Sequence, residues 1–134
     1  MKMRKYVYPA VFTAEESGSY SVNFPDLESC YTCGDDLADA IKMAEDVLAL
    51  TLFEYESQNK AIPTPSAINS IRTEKNEFVS VVAADTTEYQ KRFNKKSVKK
   101  TLTIPEWLND LAVAHNVNFS KTLQDALVQT LGIN

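Results

Sequence analysis

Two cysteines, Cys30 and Cys33, form a CxxC pair in this sequence. Such a pair can supply two of the four ligands of a zinc site or the two thiols of a redox centre. The single histidine, His115, lies far along the chain, and a redox pair would have its first cysteine at a helix start. The two cysteines instead flank a predicted strand. We therefore predict two small, semi-buried side chains without a metal or cofactor, and a structural role for His115 near a helix end.

Five carboxylates form the second set of residues that could do chemistry. Carboxylates that converge from different elements could hold one or two Mg²⁺ ions and hydrolyse a phosphodiester. Most of these five instead fall at one predicted helix start or on its outer face, where capping and solvation explain them. We therefore predict no catalytic residue, and a metal-dependent nuclease remains the alternative. The carboxylates are Asp26, Asp35, Asp36, Asp39 and Glu45.

Residues 98–104 alternate in polarity like a strand, with Leu102 and Ile104 on one face. A lone strand leaves its backbone groups unpaired, and the chain offers no neighbouring strand at this point. Pairing with the same strand of a second copy would supply hydrogen-bond partners for the backbone groups of both strands. It would also place Leu102 and Ile104 against four helices. The opposite face could then enter the major groove of DNA and bond to base edges. The residues on that face are Lys99, Thr101 and Thr103.

Two amphipathic segments of helical length follow this strand. Residues 98–134 are too few to bury a core alone, so Trp107 is expected in a core or a dimer interface. Pro105 suits the first position of the first helix, and Asn118 is the predicted cap of the second. The backbone N–H groups that open the second helix can hold a phosphate together with nearby side chains, here Ser120 and Lys121.

The C-terminal segment resembles the ribbon-helix-helix family of DNA-binding proteins. The features that carry the resemblance are the alternating strand, Pro105 and the Asn-rich turn HNVNFS before the second helix. The family usually has glycine where Asn116 stands, and asparagine also tolerates left-handed geometry. The resemblance implies a homodimer that binds DNA through paired strands.

The charge is unevenly distributed along the chain. Residues 1–90 contain 7 Lys and Arg against 15 Asp and Glu, whereas residues 91–134 contain 7 against 3, within a net charge of -4. The two parts are therefore expected to have different partners. Six basic residues lie between positions 91 and 100, and among them Lys95 and Lys96 directly precede the predicted strand. This places positive charge where phosphates would approach.

The N-terminal part is predicted to form a small sheet with one helix. Residues 5–14 and 20–24 form a predicted hairpin, with an edge or a bulge at Pro9, and a short strand follows at 29–33. A long helix begins after Asp35 or Asp36 and ends near Gln58. Residues 78–84 form a strand that is central or beside the first, and residues 86–97 are a short helix or a tether. The predicted buried stripe of the helix is Leu37, Ile41, Ala44, Leu48, Leu52 and Tyr55.

This order of elements, with the phrase FPDLESCYTCGDDLADAIKMAEDVL, resembles the N-terminal domain of HicB antitoxins. In that family a strand ending in Phe-Pro-Asp-Leu precedes a turn, a short strand and Gly-Asp. Residues 24–27 and 34–35 stand in those places here, while Glu28 and Ser29 replace the family's usual glycine. The expected fold class is α+β, a small sheet with one long helix similar to a partial RNase H, followed by a dimeric ribbon-helix-helix module.

The two resemblances together imply an antitoxin of a type II toxin-antitoxin system. Residues 1–88 are expected to bind a HicA-type, RNA-cleaving toxin, residues 89–97 to be a linker, and residues 98–134 to dimerise and bind operator DNA, with a tetramer as a further option. The apolar runs are too short to span a membrane and no signal peptide is recognised, so we predict a cytoplasmic protein without a membrane partner. Besides the nuclease, a stand-alone repressor with a ligand-sensing domain remains an alternative.

Overall fold

The computed structural model of the protein describes residues 5–133. It divides into two compact units, the first ending at Lys96 and the second beginning at Ser97. In the described part of the chain, no helix is both long and apolar enough to cross a membrane.

The first unit contains a four-stranded antiparallel sheet with the strand order β3-β2-β1-β4. The predicted hairpin is confirmed, because β1 and β2 pair directly. The last strand lies beside the first, as predicted, and forms one edge of the sheet. The strands are β1 (Lys5–Ala14), β2 (Tyr20–Asn23), β3 (Tyr31–Gly34) and β4 (Glu77–Asp85).

The third strand begins later than the sequence predicted. The prediction was 29–33, whereas β3 spans Tyr31–Gly34. Ser29 has a φ of 56°, a left-handed conformation that a strand cannot continue. Ser29 lies in a tight loop, which is closed by a hydrogen bond of 3.0 Å from the N–H of Phe24 to the carbonyl of Cys30. Ser29 thus adopts, in this turn, a geometry in which glycine carries no steric cost.

Pro9 lies in the part of β1 that has a neighbour on one side. β1 pairs with β4 along nearly its whole length, with Pro9 opposite Val81, but with β2 only from Val11 onwards. Proline lacks a backbone donor and is therefore tolerated at a strand edge. The prediction of an edge is confirmed for this half of β1.

One long helix, α1 (Leu37–Ser57), covers one face of the sheet. Its predicted start and end are confirmed: the carboxylate of Asp36 accepts a hydrogen bond of 2.8 Å from the N–H of Asp39, and Gln58 is the C-cap. Together with β1 and β2 it forms the core of the unit. The largest fully buried apolar side chains are Tyr8, Phe12, Val22, Phe24, Leu48 and Leu52, each stabilising the fold by roughly 1.5–3 kcal/mol.

The buried face of α1 is rotated from the predicted stripe at its N-terminal end. Ala44, Leu48 and Leu52 are buried as predicted, but Leu37 and Ile41 are exposed. Ala40 faces the sheet instead, because the helix backbone at this residue approaches β3 very closely at Gly34. Small side chains fit that close approach, and larger ones are turned outward.

A second helix, α2 (Thr87–Phe93), packs on the C-terminal half of α1. Tyr89 stacks on Phe53 with ring centroids 5.6 Å apart. The Glu56 carboxylate accepts hydrogen bonds from the buried Thr86 hydroxyl at 3.0 Å and the Gln90 amide at 2.8 Å. Residues 89–93, which the sequence suggested as linker, therefore lie in a helix attached to the first unit.

The second unit contains α3 (Glu106–Ala114) and α4 (Phe119–Leu131). Pro105 was predicted as the first helical residue, but it is the N-cap of α3, because its ψ of 142° is extended. The helix therefore begins at Glu106. Asn116 has a φ of 55°, so the predicted left-handed turn is confirmed. His115 is the C-cap of α3, as its structural interpretation required, and the predicted cap of α4, Asn118, is also confirmed.

Residues 94–105 have no regular secondary structure. The strand predicted at 98–104 is thus not formed in this single chain. A strand is defined by pairing, and the predicted partner is the same segment of a second copy.

Candidate DNA-binding and partner-binding surfaces

The apolar side chains of the second unit lie in water. None of its described residues, 97–133, is buried. Leu102 is 63% exposed and Trp107 is 65% exposed, although both were predicted to lie in a dimer interface or core. Soluble monomers rarely expose a large contiguous apolar surface. The exposed large apolar residues are Val98, Leu102, Ile104, Trp107, Leu108, Leu111, Val113, Val117, Phe119, Leu127, Val128 and Leu131.

The polar residues predicted to contact DNA are exposed as well. They belong to the same extended segment or to the residues directly before it, and the side chains of Thr101 and Thr103 alternate with the apolar Leu102 and Ile104. The segment has no regular secondary structure in the single chain, so no strand sets which of these side chains share a face. The exposed polar residues are Lys95, Lys96, Lys99, Thr101 and Thr103.

The start of α4 holds the residues predicted to contact phosphates. The Asn118 side chain accepts a hydrogen bond of 3.0 Å from the N–H of Lys121, and Ser120 in the first turn is exposed. Lys121 pairs with Asp125 at 2.9 Å, but both side chains are about two-thirds exposed or more. An exposed ion pair of this kind contributes at most about 1 kcal/mol, so a phosphate could compete for the lysine.

The two cysteines have different environments. Cys30 is buried and Cys33 is exposed, and both are free thiols. The prediction of two semi-buried side chains is therefore wrong for both cysteines, because the sheet and α1 enclose Cys30 while Cys33 lies at the surface. Burial raises the pKa of the Cys30 thiol, and this outweighs the opposing effect of a hydrogen bond with Thr51. Cys30 consequently remains a protonated, apolar core residue.

This difference predicts selective alkylation. Treating the folded protein with iodoacetamide at pH 8 is expected to modify Cys33 alone, because the Cys30 thiol is buried and its raised pKa disfavours the reactive thiolate. Peptide mass spectrometry would locate the modification, and unfolding in guanidinium should expose both thiols. Rapid alkylation of Cys30 in the folded protein would contradict the packing described above.

Three of the five carboxylates considered for a metal site accept hydrogen bonds from the backbone. Asp36 caps α1, Asp39 accepts a hydrogen bond of 2.8 Å from the N–H of Asp35, and Asp26 accepts one of 2.9 Å from the N–H of Ser66. Among the described residues, 5–133, no three His, Cys, Asp or Glu side chains come together where they could hold a metal ion. The geometry of this set is that of capping and loop fixation.

A surface of α1 that the sequence interpretation missed combines carboxylates with large apolar side chains. Five exposed residues follow one another at steps of three or four along the helix, so they share one face. We call this set the outer stripe. The signal was present in the sequence as this spacing, but it was interpreted as a plain acidic face. The outer stripe consists of Asp39, Met43, Asp46, Leu50 and Glu54.

A groove of the first unit lies beside the N-terminal half of β1. It has a volume of about 680 Å³ and is bounded by β1, the end of α1 and the loop after it, with Tyr6, Tyr55, Ile62 and Pro65 in its walls. The Tyr8 hydroxyl donates a hydrogen bond to the Pro63 carbonyl, which fixes this loop. Burial is the main cause that raises the pKa of Tyr8.

Similarity to known proteins extends over both units. The sequence profile of a family described as "HicB_like antitoxin of bacterial toxin-antitoxin system" matches residues 8–126. "Antitoxin HicB" of Escherichia coli (strain K12) is 41% identical over 64 residues. That alignment covers 47% of this chain and 46% of the relative, so the chain spans about half the length of the curated relatives it matches.

Two solved structures share the fold. A chain of "Toxin-Antitoxin complex from Streptococcus pneumoniae" has a TM-score of 0.60 and 31% identity, and the match covers 94% of this chain and 99% of that one. A chain of "HicA3 and HicB3 toxin-antitoxin complex" has a TM-score of 0.50 and 21% identity, covering 60% of this chain and 99% of that one. The predicted α+β class, a small antiparallel sheet with helices, is confirmed.

Proposed function

Because this chain belongs to the HicB-like antitoxin family of bacterial toxin-antitoxin systems, we propose that it neutralises a HicA-type toxin and represses its own operon. The first unit binds the toxin and the second unit dimerises and binds operator DNA. Relatives are named as antitoxins, which indicates a regulatory protein and not an enzyme. The protein acts in the cytoplasm, where it can meet both partners.

The proposal that the second unit dimerises and binds DNA rests on the exposed apolar surface of this unit. None of its described residues is buried, and twelve of its large apolar side chains are exposed. A second copy supplies the missing core: residues 98–104 of two chains pair, and Leu102, Ile104 and Trp107 become enclosed with the helices of both chains. The shared strands provide the backbone partners that residues 98–104 lack in one chain.

Pairing also assembles the polar face of the ribbon. When Leu102 and Ile104 point into the dimer, the side chains at alternate positions point outward together. Lys99, Thr101 and Thr103 then read base edges in the major groove. Contacts to the phosphate backbone come from the residues before the strand and from the start of α4, namely Lys95, Lys96, Asn118, Ser120 and Lys121.

The proposal that the first unit binds the toxin is supported by the shape and the charge of this unit. The first unit is a rigid sheet with a covering helix, and its sequence is strongly acidic up to residue 90. An acidic surface accelerates association with a basic partner and masks the surface with which that partner would hold RNA. Inhibition is therefore steric and electrostatic. Two dimers on one operator form a tetramer. Binding of the toxin to the first units then affects repression of the promoter.

Replacing Thr101 and Thr103 together with alanine tests this division of labour. The variant is expected to lose about tenfold or more of its preference for operator over random DNA, because base contacts of this kind each discriminate by roughly 1–3 kcal/mol. Toxin neutralisation in cells should be unchanged. The binding preference is measured by fluorescence anisotropy with operator and scrambled duplexes.

Thr130→Ala is the matched control, since Thr130 is an exposed threonine of the same unit that lies near the end of α4. It should leave the preference for operator unchanged. Loss of toxin neutralisation in the Thr101 and Thr103 variant would contradict the two-surface proposal. Cleavage of RNA or DNA by the purified chain with Mg²⁺ or Mn²⁺ would support the nuclease alternative instead.

A further inference from the structure

The outer stripe of α1 has two apolar side chains that the core does not use. Met43 is 39% exposed and Leu50 is 41% exposed. They are seven residues apart, two turns along the same face. The sheet side of the helix is already occupied by Ala40, Ala44 and Leu48, which are buried. The two side chains therefore keep apolar surface in water that a binding partner can cover.

The stripe is also strongly negative. Three of its five residues are carboxylates, Asp39, Asp46 and Glu54, and α1 contains one basic residue, Lys42. Lys42 pairs with Asp46 at 3.1 Å, but both side chains are more than half exposed, so the pair neutralises Asp46 only weakly. Asp46 and Glu54 flank Leu50 on the same face, so apolar contact and negative charge are presented together.

This combination restricts what can bind. Phosphates of a nucleic acid and anionic lipid headgroups are repelled by the carboxylates, and so is the same stripe of a second copy. A protein surface with lysines or arginines around an apolar depression satisfies both features at once, because its cations meet Asp46 and Glu54 while the depression receives Met43 and Leu50.

We propose that the outer stripe of α1 is the face on which the toxin docks. This inference rests on the proposed function and adds to it the location of the contact and the chemistry of the toxin surface, which is cationic around an apolar depression. The opposite, outer face of the sheet, where Val7 and Val81 are exposed, is then free in the complex.

The test uses the full chain and its purified cognate HicA-type toxin. The charge-reversal pair Asp46→Lys with Glu54→Lys is expected to weaken binding at least tenfold, measured by isothermal titration calorimetry. The wild-type affinity should also decrease as the salt concentration rises. A second pair, Met43→Ser with Leu50→Ser, removes the apolar contacts and is expected to weaken binding about fivefold per residue.

The matched control is Glu16→Lys with Glu28→Lys, two exposed carboxylates outside α1. It changes the net charge by the same amount, so binding within about threefold of wild type shows that position matters and not total charge. Thermal unfolding of each variant verifies that the first unit is folded. Equal weakening by both charge-reversal pairs would overturn the inference.

Two further results separate the inference from the proposed function. If the wild-type chain does not bind the toxin, the proposed function is wrong. If the wild-type chain binds but the outer-stripe variants bind equally well, the proposed function stands and the inference is wrong. Loss of binding in Val81→Lys, with the outer-stripe variants unaffected, would move the contact to the sheet and equally overturn the inference.

Discussion

Replacing Leu102 with proline is expected to convert the proposed dimer to a monomer and to abolish the proposed operator binding. Proline removes a backbone donor from the shared strand, and the substitution removes an apolar side chain from its inner face. Because both chains of a two-fold symmetric dimer carry the substitution, each loss occurs twice. With roughly 1 kcal/mol per hydrogen bond and 1.5–3 kcal/mol per leucine, the dimer loses about 5–8 kcal/mol, so the dimerisation constant should weaken by at least about a thousandfold.

The effect should be confined to the second unit. The first unit has its own core around Phe12, Phe24 and Leu48, so its thermal unfolding should remain unchanged. Analytical ultracentrifugation measures the dimer and electrophoretic mobility shift measures operator binding. Ser97→Pro is the control, because Ser97 is exposed and precedes the pairing segment. A Leu102→Pro variant that remained dimeric and bound DNA would disprove strand pairing at 98–104.

Replacing Gly34 with alanine is expected to destabilise the first unit by at least about 3 kcal/mol. A Cβ atom at Gly34 would lie 2.3 Å from the backbone nitrogen of Ala40 and 2.5 Å from its Cα. Both atoms belong to the first turns of α1, so a side-chain rotation cannot relieve the overlap. The helix must move away from β3, and the packing of Ala40 and Ala44 is lost with it.

The measurement is thermal unfolding followed by circular dichroism, with an expected decrease in melting temperature of more than about 10 °C for a unit of this size. Gly18→Ala is the matched control. Gly18 has a φ of 91°, but a Cβ atom added there would have no neighbouring atom within 4 Å, so its substitution costs backbone strain alone, about 1 kcal/mol. Equal stability of the two variants would show that α1 does not depend on the close approach at Gly34.

Local signals in the sequence predicted most elements correctly. Asp36 caps α1 and Asn118 caps α4, and both were recognised because a side chain and an N–H group two or three residues away decide a helix start. Asn116 at a left-handed turn was recognised for the same reason. Ser29, in contrast, is a residue type that seldom adopts positive φ, and the start of β3 was therefore misplaced.

The candidate surfaces were predicted less completely. The polar and apolar alternation of residues 98–104 identified a segment with two faces, and the described chain leaves it unpaired. The outer stripe escaped notice because a hydrophobic pattern does not say which apolar residues face the sheet. Leu37 and Ile41 fit a helical stripe as well as Ala40 does, and larger side chains are the usual choice for a core.

The order of the elements, their caps, the charge difference between the two parts and the alternation at 98–104 could all be predicted from the chain alone, since they depend on residues close together in it. The rotation of α1, the separate environments of Cys30 and Cys33, and the exposure of Met43 and Leu50 could not. These three features depend on how α1 packs against the sheet, which fixes the face that the helix turns to the strands, with Ala40 close to Gly34. The second unit also depends on packing that the sequence alone does not show, because its described apolar residues form no core within one chain.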